Sequence, residues 1–125
     1  MCYSDKYCRG PHLLKDIPVR GLMRIAILSI IKQKPVYGSE IHQIVRNKIG
    51  LDVPKSIIYI LLRRMERNGF IISNWDVSGS GPAKRVYRIT DMGLEYLNDS
   101  IDRLRKVVPI ISNIIDIFEK GDRNE

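Results

Sequence analysis

Residues 52–90 read DVPKSIIYILLRRMERNGFIISNWDVSGSGPAKRVYRIT, and this stretch decides the fold. Asp52-Val53-Pro54 reads as the start of a helix, with Pro54 suited to the first turn, where a backbone N–H has no intrahelical partner. Ile57, Ile58, Leu61, Leu62 and Met65 keep helical spacing and form an inner stripe, and Asn68-Gly69 ends it. Two β-rich runs follow, Phe70–Val77 and Lys84–Thr90, around Ser78-Gly79-Ser80-Gly81-Pro82-Ala83. Glycines and a proline between two such runs predict a hairpin with a flexible tip.

Two further helices precede this unit. From Arg20 to Gln33, Leu22, Met23, Ile25, Ala26, Ile27, Leu28, Ile30 and Ile31 make a segment apolar on most sides, hence buried on more than one face. Lys34-Pro35 ends it, because the ring disfavours α geometry in the residue before it. Gly38-Ser39 opens the second helix, with Ser39 a candidate N-cap. Ile41, Ile44, Val45 and Ile49 carry its stripe to Gly50. Residues 1–19 lack a clean period, are broken by Pro11 and Pro18, and read as an arm.

Downstream, Thr90-Asp91 caps a long last helix. Leu94, Leu97, Ile101, Leu104, Val108, Ile111, Ile115 and Phe118 recur at spacings of 3 and 4, an a/d seam of the kind that pairs helices. A second stripe, Val107, Ile110, Ile114 and Ile117, widens the distal half beyond what one chain of this size can cover. Pro109 is expected to bend or break the helix. The stretch 94–118, together with the first helix, is therefore expected to build a homodimer.

The 125 residues carry 21 Lys+Arg against 14 Asp+Glu, a formal +7. Residues 1–45 contribute +4, residues 46–88 +6 and residues 89–125 −3. Clustered cations are the footprint of a polyanionic partner, nucleic acid before an anionic membrane surface. No apolar run is long enough to span a bilayer, and Met1–Gly10 lacks a signal-peptide core. A cytoplasmic protein at the nucleoid is expected.

Helix, helix, helix, hairpin is the order of a winged helix-turn-helix: mainly α with a small β-hairpin, residues 20–90, followed by the dimerisation helix, 91–125. In such a fold the third helix offers side chains to the major groove and the hairpin tip touches the neighbouring backbone. Lys55, Tyr59 and Arg63 lie at i, i+4 and i+8 on its outward face, with Ser56 beside them. Any amphipathic helix has a polar face; the hairpin that follows tips the reading toward double-stranded DNA. An arginine there can take both acceptors of guanine.

Three stretches carry a more specific signal: Lys34-Pro35-Val36-Tyr37-Gly38-Ser39-Glu40-Ile41, then Ser56 to Ile71, then Gly81-Pro82-Ala83-Lys84-Arg85-Val86-Tyr87-Arg88-Ile89-Thr90-Asp91-Met92-Gly93. In order and spacing they resemble the PadR-like transcriptional regulators over roughly residues 20–93. The resemblance implies a dimeric winged-helix repressor or activator, with Tyr59, Lys84 and Arg85 on the DNA side and the terminal helix dimerising, as in the family's short branch. Tyr37 and Ser39, in the first matching stretch, join the expected DNA-binding set. The chain departs at Ser56-Ile57-Ile58-Tyr59-Ile60, where the family often has Gly-Thr-Leu-Tyr-Pro. The arm 1–19 has no counterpart.

Other sites weigh less. Cys2, Cys8 and His12 could serve a metal- or redox-responsive regulator, but structural zinc sites use four ligands and tighter cysteine spacing, so free thiols are expected and no metal or cofactor. His42 reads as a boundary residue and Trp75 as a hairpin anchor. The terminal helix holds only Tyr96 and Phe118 as aromatics, which gives a small-molecule effector no support. Glycine-rich phosphate loops and catalytic Ser/His/Asp or His/carboxylate sets are missing, so no enzyme is expected. A winged helix serving as a protein-interaction adaptor remains an alternative, against which the basic middle third counts.

Overall fold

The computed structural model describes residues 19–123. In order these are α1 (Val19–Gln33), β1 (Val36–Tyr37), α2 (Gly38–Ile44) continued by a π-helical turn (Val45–Ile49), α3 (Lys55–Arg67), β2 (Ile71–Asp76), β3 (Lys84–Ile89) and α4 (Asp91–Arg123). The strands form one antiparallel sheet in the order β1-β3-β2. The core lies between the helices and one face of this sheet. Met23, Ile27, Leu28 and Ile31 of α1, Ile41 of α2, Ile58, Leu62 and Met65 of α3, and Ile71 of β2 are buried there.

The hairpin gains a third strand that two residues could not announce by periodicity. Val36 pairs with Tyr87 and Tyr37 with Val86. This pairing corrects the start of α2. Tyr37 is extended, at φ −79° and ψ 152°, and is itself the N-cap, with its N–H donating to Glu40 Oε1 at 3.0 Å. Ser39 therefore lies inside the first turn. Pro54 shifts likewise: it is the N-cap of α3, not its first helical residue, and its carbonyl accepts the Ile57 N–H at 3.1 Å. Gly50 and Gly69 close their helices at φ +90° and +86°, the left-handed region that glycine enters without a Cβ clash.

Thr90 performs the expected capping. Its Oγ1 accepts the Gly93 N–H at 3.0 Å and donates to the Gly69 carbonyl at 2.6 Å, tying the starts of α4 and β2 together. Nearby, the Phe70 and Tyr96 rings stack at 4.7 Å. The helix then runs through Pro109 without the expected break. The proline removes its own hydrogen bond and crowds the carbonyl of Arg105 one turn back. In this exposed stretch water can satisfy the carbonyl one turn back.

The heptad stripe divides in two. Leu97 is buried in the chain's own core, Ile101 packs against that core, and Leu94 and Leu104 are half-buried. Val108, Ile111, Ile115 and Phe118 are exposed, as are Val107, Ile110, Ile114 and Ile117. Within the single chain, Leu97 and Ile101 of the stripe therefore pack into the domain's own core, and the distal half is left outside it. Leu97, only 2% exposed in the single chain, has no surface left to offer a partner.

Candidate nucleic-acid interface

The outward face of α3 carries Lys55, Ser56 and Arg63 exposed, and Tyr59 and Ile60 half-buried. Tyr59 is held by its neighbour in α2. A Cβ on Gly38 would stand 2.7 Å from Tyr59 Cε1, so the ring lies where only glycine permits it. The ring also borders a cleft of about 170 Å³ lined by Tyr37, Gly38, Ser39, Tyr59, Lys84, Arg85 and Tyr87. Five expected site residues, Tyr37, Ser39, Tyr59, Lys84 and Arg85, thus meet in one place, from the start of α2, from α3 and from the wing strand β3. Lys55, Ser56 and Arg63 stay outside that lining, along the exposed α3 face.

Tyr37 is less free than its position in sequence suggests. Its hydroxyl donates to Asp76 Oδ2 at 2.6 Å, and the Lys84 ammonium stands 5.2 Å over its ring. Donation to Asp76 and that residue's charge raise the Tyr37 pKa. Asp76 also accepts from Ser78 through the hydroxyl (2.6 Å) and the N–H (3.0 Å). The Ser78 hydroxyl, the Tyr37 hydroxyl and the Ser78 N–H hold the Asp76 carboxyl at about 2. Tyr87, beneath the cleft, is raised mainly by burial.

Arg85 is fixed from two sides. Its Nε donates to Ser73 Oγ at 2.8 Å and its guanidinium stands 4.9 Å over the Trp75 ring, directly across the strand pair. Ser73 in turn donates through its hydroxyl (2.8 Å) and its N–H (3.1 Å) to Glu66 Oε2 of α3. Trp75, read as a hairpin anchor, is 60% exposed and anchors a cation instead. Sequence reasoning missed Glu66, Ser73 and Asp76. The available signal was the hairpin register, which sets Asp76 opposite Lys84 and Trp75 opposite Arg85.

Among the described residues the only ion pair is Arg105–Asp102, so Lys55, Arg63, Lys84 and Arg85 make no direct ion pair there, although Asp76 lies across the hairpin from Lys84 and feels its charge. His42 donates from Nε2 to the Val53 carbonyl at 2.9 Å, a tie between α2 and the loop before α3. Among the described residues no cluster of His, Cys, Asp and Glu could hold a metal ion. Cys2, Cys8, His12 and the arm to residue 18 lie outside the described residues.

Three helices, a hairpin on a three-stranded sheet, and a long helix leaving the domain define the winged helix-turn-helix class with a C-terminal helical extension. Residues 27–99 match the transcriptional regulator PadR-like family, and the chain belongs to that family. It is similar to the solved structure of a candidate transcriptional regulator from Thermoplasma acidophilum, with 34% identity and TM-score 0.71 over 78% of this chain and 94% of that one. A PadR-like transcriptional regulator from Bacillus cereus is similar at 32% identity and TM-score 0.70, again over 78% and 94%. Bacillus subtilis PadR, solved in complex with operator DNA, matches at 26% identity and TM-score 0.60 over 64% of this chain and 46% of that one.

Proposed function

We propose that the protein is a transcriptional repressor that binds double-stranded DNA sequence-specifically, as a homodimer on an inverted-repeat operator, in the cytoplasm at the nucleoid. The observation that carries this reading is the cleft where Lys84 and Arg85 of the wing, both exposed and neither in a direct ion pair among the described residues, stand beside Tyr59 of α3. Exposed cations on two elements, Lys55 and Arg63 on α3 and Lys84 and Arg85 on the wing, fit phosphate on one side of a duplex groove and base edges on the other. The operator complex of Bacillus subtilis PadR supports the same partner. An adaptor role would not require a cluster of exposed cations at the wing and along α3.

The dimer rests on α4. At ~100° per residue, the exposed side chains from Val107 to Phe118 cover an arc of ~180°, wider than one coiled-coil seam. Two partner elements are needed to cover it. A groove of about 490 Å³ between α1 and α4, with Ser29, Lys32, Gln33, Asn98, Asp102 and Arg105 on its walls, offers a place for one of them. Two-fold protein symmetry then requires an inverted repeat with half-site centres about one helical turn, ~10 bp, or a multiple of it apart.

Selection from random duplexes, followed by footprinting on the winning sequence, tests the reading directly. The expected outcome is a palindromic site protected on two half-sites, with affinity falling steeply with salt. A single unpaired half-site would refute the two-fold geometry, and salt-independent association with protein alone would establish the adaptor.

A further inference from the structure

We propose that Ser73, Trp75 and Glu66 form a positioning relay that holds Arg85 of the wing in register with α3 and presents its terminal nitrogens to one backbone phosphate; this rests on the DNA-binding reading above. The direction of each bond is determined by chemistry. Glu66 Oε2 accepts only, so the Ser73 hydroxyl must give it its single proton, and the hydroxyl's lone pairs are left to accept from Arg85 Nε. A guanidinium has five N–H donors. With Nε occupied, the four on the two terminal nitrogens remain, and among the described residues no other hydrogen bond or carboxylate takes them. They form the planar fork that matches two phosphate oxygens.

Trp75 supplies the second constraint. It stands directly opposite Arg85 across the hairpin, and its ring is the surface on which the guanidinium lies. A ring beneath and a hydroxyl at Nε leave the side chain little rotational freedom, so less entropy is lost when phosphate arrives. Ser73 bridges the two charges: its hydroxyl bonds both Glu66 and Arg85, so the carboxylate is joined to the guanidinium through Ser73 and makes no direct ion pair that would take the terminal nitrogens. The relay begins in the last turns of α3 and ends in β3, so the element facing the groove and the element beside it share one register.

The test is a double-mutant cycle on a duplex selected by the wild-type protein, read by fluorescence anisotropy at two salt concentrations. Ser73→Ala should weaken binding about five- to tenfold and Arg85→Ala by at least as much. The double variant should be no weaker than Arg85→Ala alone, because Ser73 acts only through Arg85. Ser73→Thr keeps the hydroxyl and should keep wild-type affinity. Trp75→Leu provides a second cycle with Arg85→Ala and the same non-additive result, independent of how well Ser73→Ala folds. Both Ser73→Ala and Arg85→Ala should flatten the log–log salt slope by about one phosphate contact. Additive losses, or single variants with wild-type affinity and slope, would overturn the relay while leaving DNA binding intact. Wild-type protein that selects no duplex would overturn the underlying reading instead.

Discussion

Gly38→Ala is the smallest change that should reach the proposed interface. The added Cβ would stand 2.7 Å from Tyr59 Cε1, 3.3 Å from its hydroxyl oxygen and 3.4 Å from Cζ. Carbon–carbon contacts settle at ~3.5–4.0 Å, so the ring edge must retreat by ~1 Å. Overpacking costs ~1–3 kcal/mol in a closed core, and Tyr59 is only half-buried, which favours the low end. Alanine recovers up to ~1 kcal/mol over glycine within a helix. The net loss of stability should be ~0–2 kcal/mol, a shift of a few degrees in Tm. The functional effect should be larger. The ring that retreats lines the cleft beside Lys84 and Arg85, and losing one specific contact costs ~1–3 kcal/mol on the preferred duplex. Thermal unfolding and anisotropy on selected and scrambled duplexes measure the two effects separately. In a Tyr59→Ala background the clash has no target, and Gly38→Ala should then become neutral or stabilising. Wild-type affinity in Gly38→Ala would show that the ring position plays no part in binding. A stability loss that persists without the Tyr59 ring would refute the clash itself.

Arg63→Ala should weaken the selected duplex by ~1–3 kcal/mol and a scrambled one far less, whereas Lys84→Ala should weaken both alike and flatten the salt slope by roughly one unit; equal losses for Arg63→Ala would move specificity to DNA shape or to the arm at 1–19. Ile111→Asp places a charge in the exposed apolar arc of α4 and should yield monomer or aggregate without DNA binding, which sedimentation checks against a dimeric wild type; a wild-type monomer at micromolar concentration would refute the dimer. Asp76 has its pKa lowered from 3.8 to about 2 in the folded chain, so it stabilises the fold above pH 3.8 and that contribution is lost as pH falls toward 2. Asp76→Asn should therefore be less stable than wild type near neutrality and flatter between pH 4 and 2 in urea unfolding, and parallel curves would refute the network around Tyr37 and Ser78.

The helices and the hairpin were legible in the sequence because each obeys a rule of one element. Ile58, Leu61, Leu62 and Met65 mark the inner face of α3 by spacing alone, Gly50 and Gly69 stand where a chain must turn left-handed, and Thr90 caps α4 with its own hydroxyl. The basic third of the chain likewise pointed to a polyanion without coordinates. β1 escaped notice because two residues have no period; its existence depends on Val86 and Tyr87 some fifty positions later, and that pairing moved the N-cap from Ser39 to Tyr37. Spacing identified the heptad stripe of α4 as apolar but could not name its partner, since the same leucine spacing serves a core or a seam. Only the packing of Leu97 and Ile101 beneath α1, with Ile111 and Phe118 left outside, divided it. The cleft, too, belongs to the tertiary structure. Tyr37, Tyr59 and Lys84 are far apart along the chain, and it takes the missing side chain of Gly38, the register of β2 with β3 and the hydroxyl of Ser73 to bring tyrosines and cations to one point. Periodicity reports which side of an element is apolar, whereas the meeting of side chains from different elements depends on angles and registers that no single segment encodes.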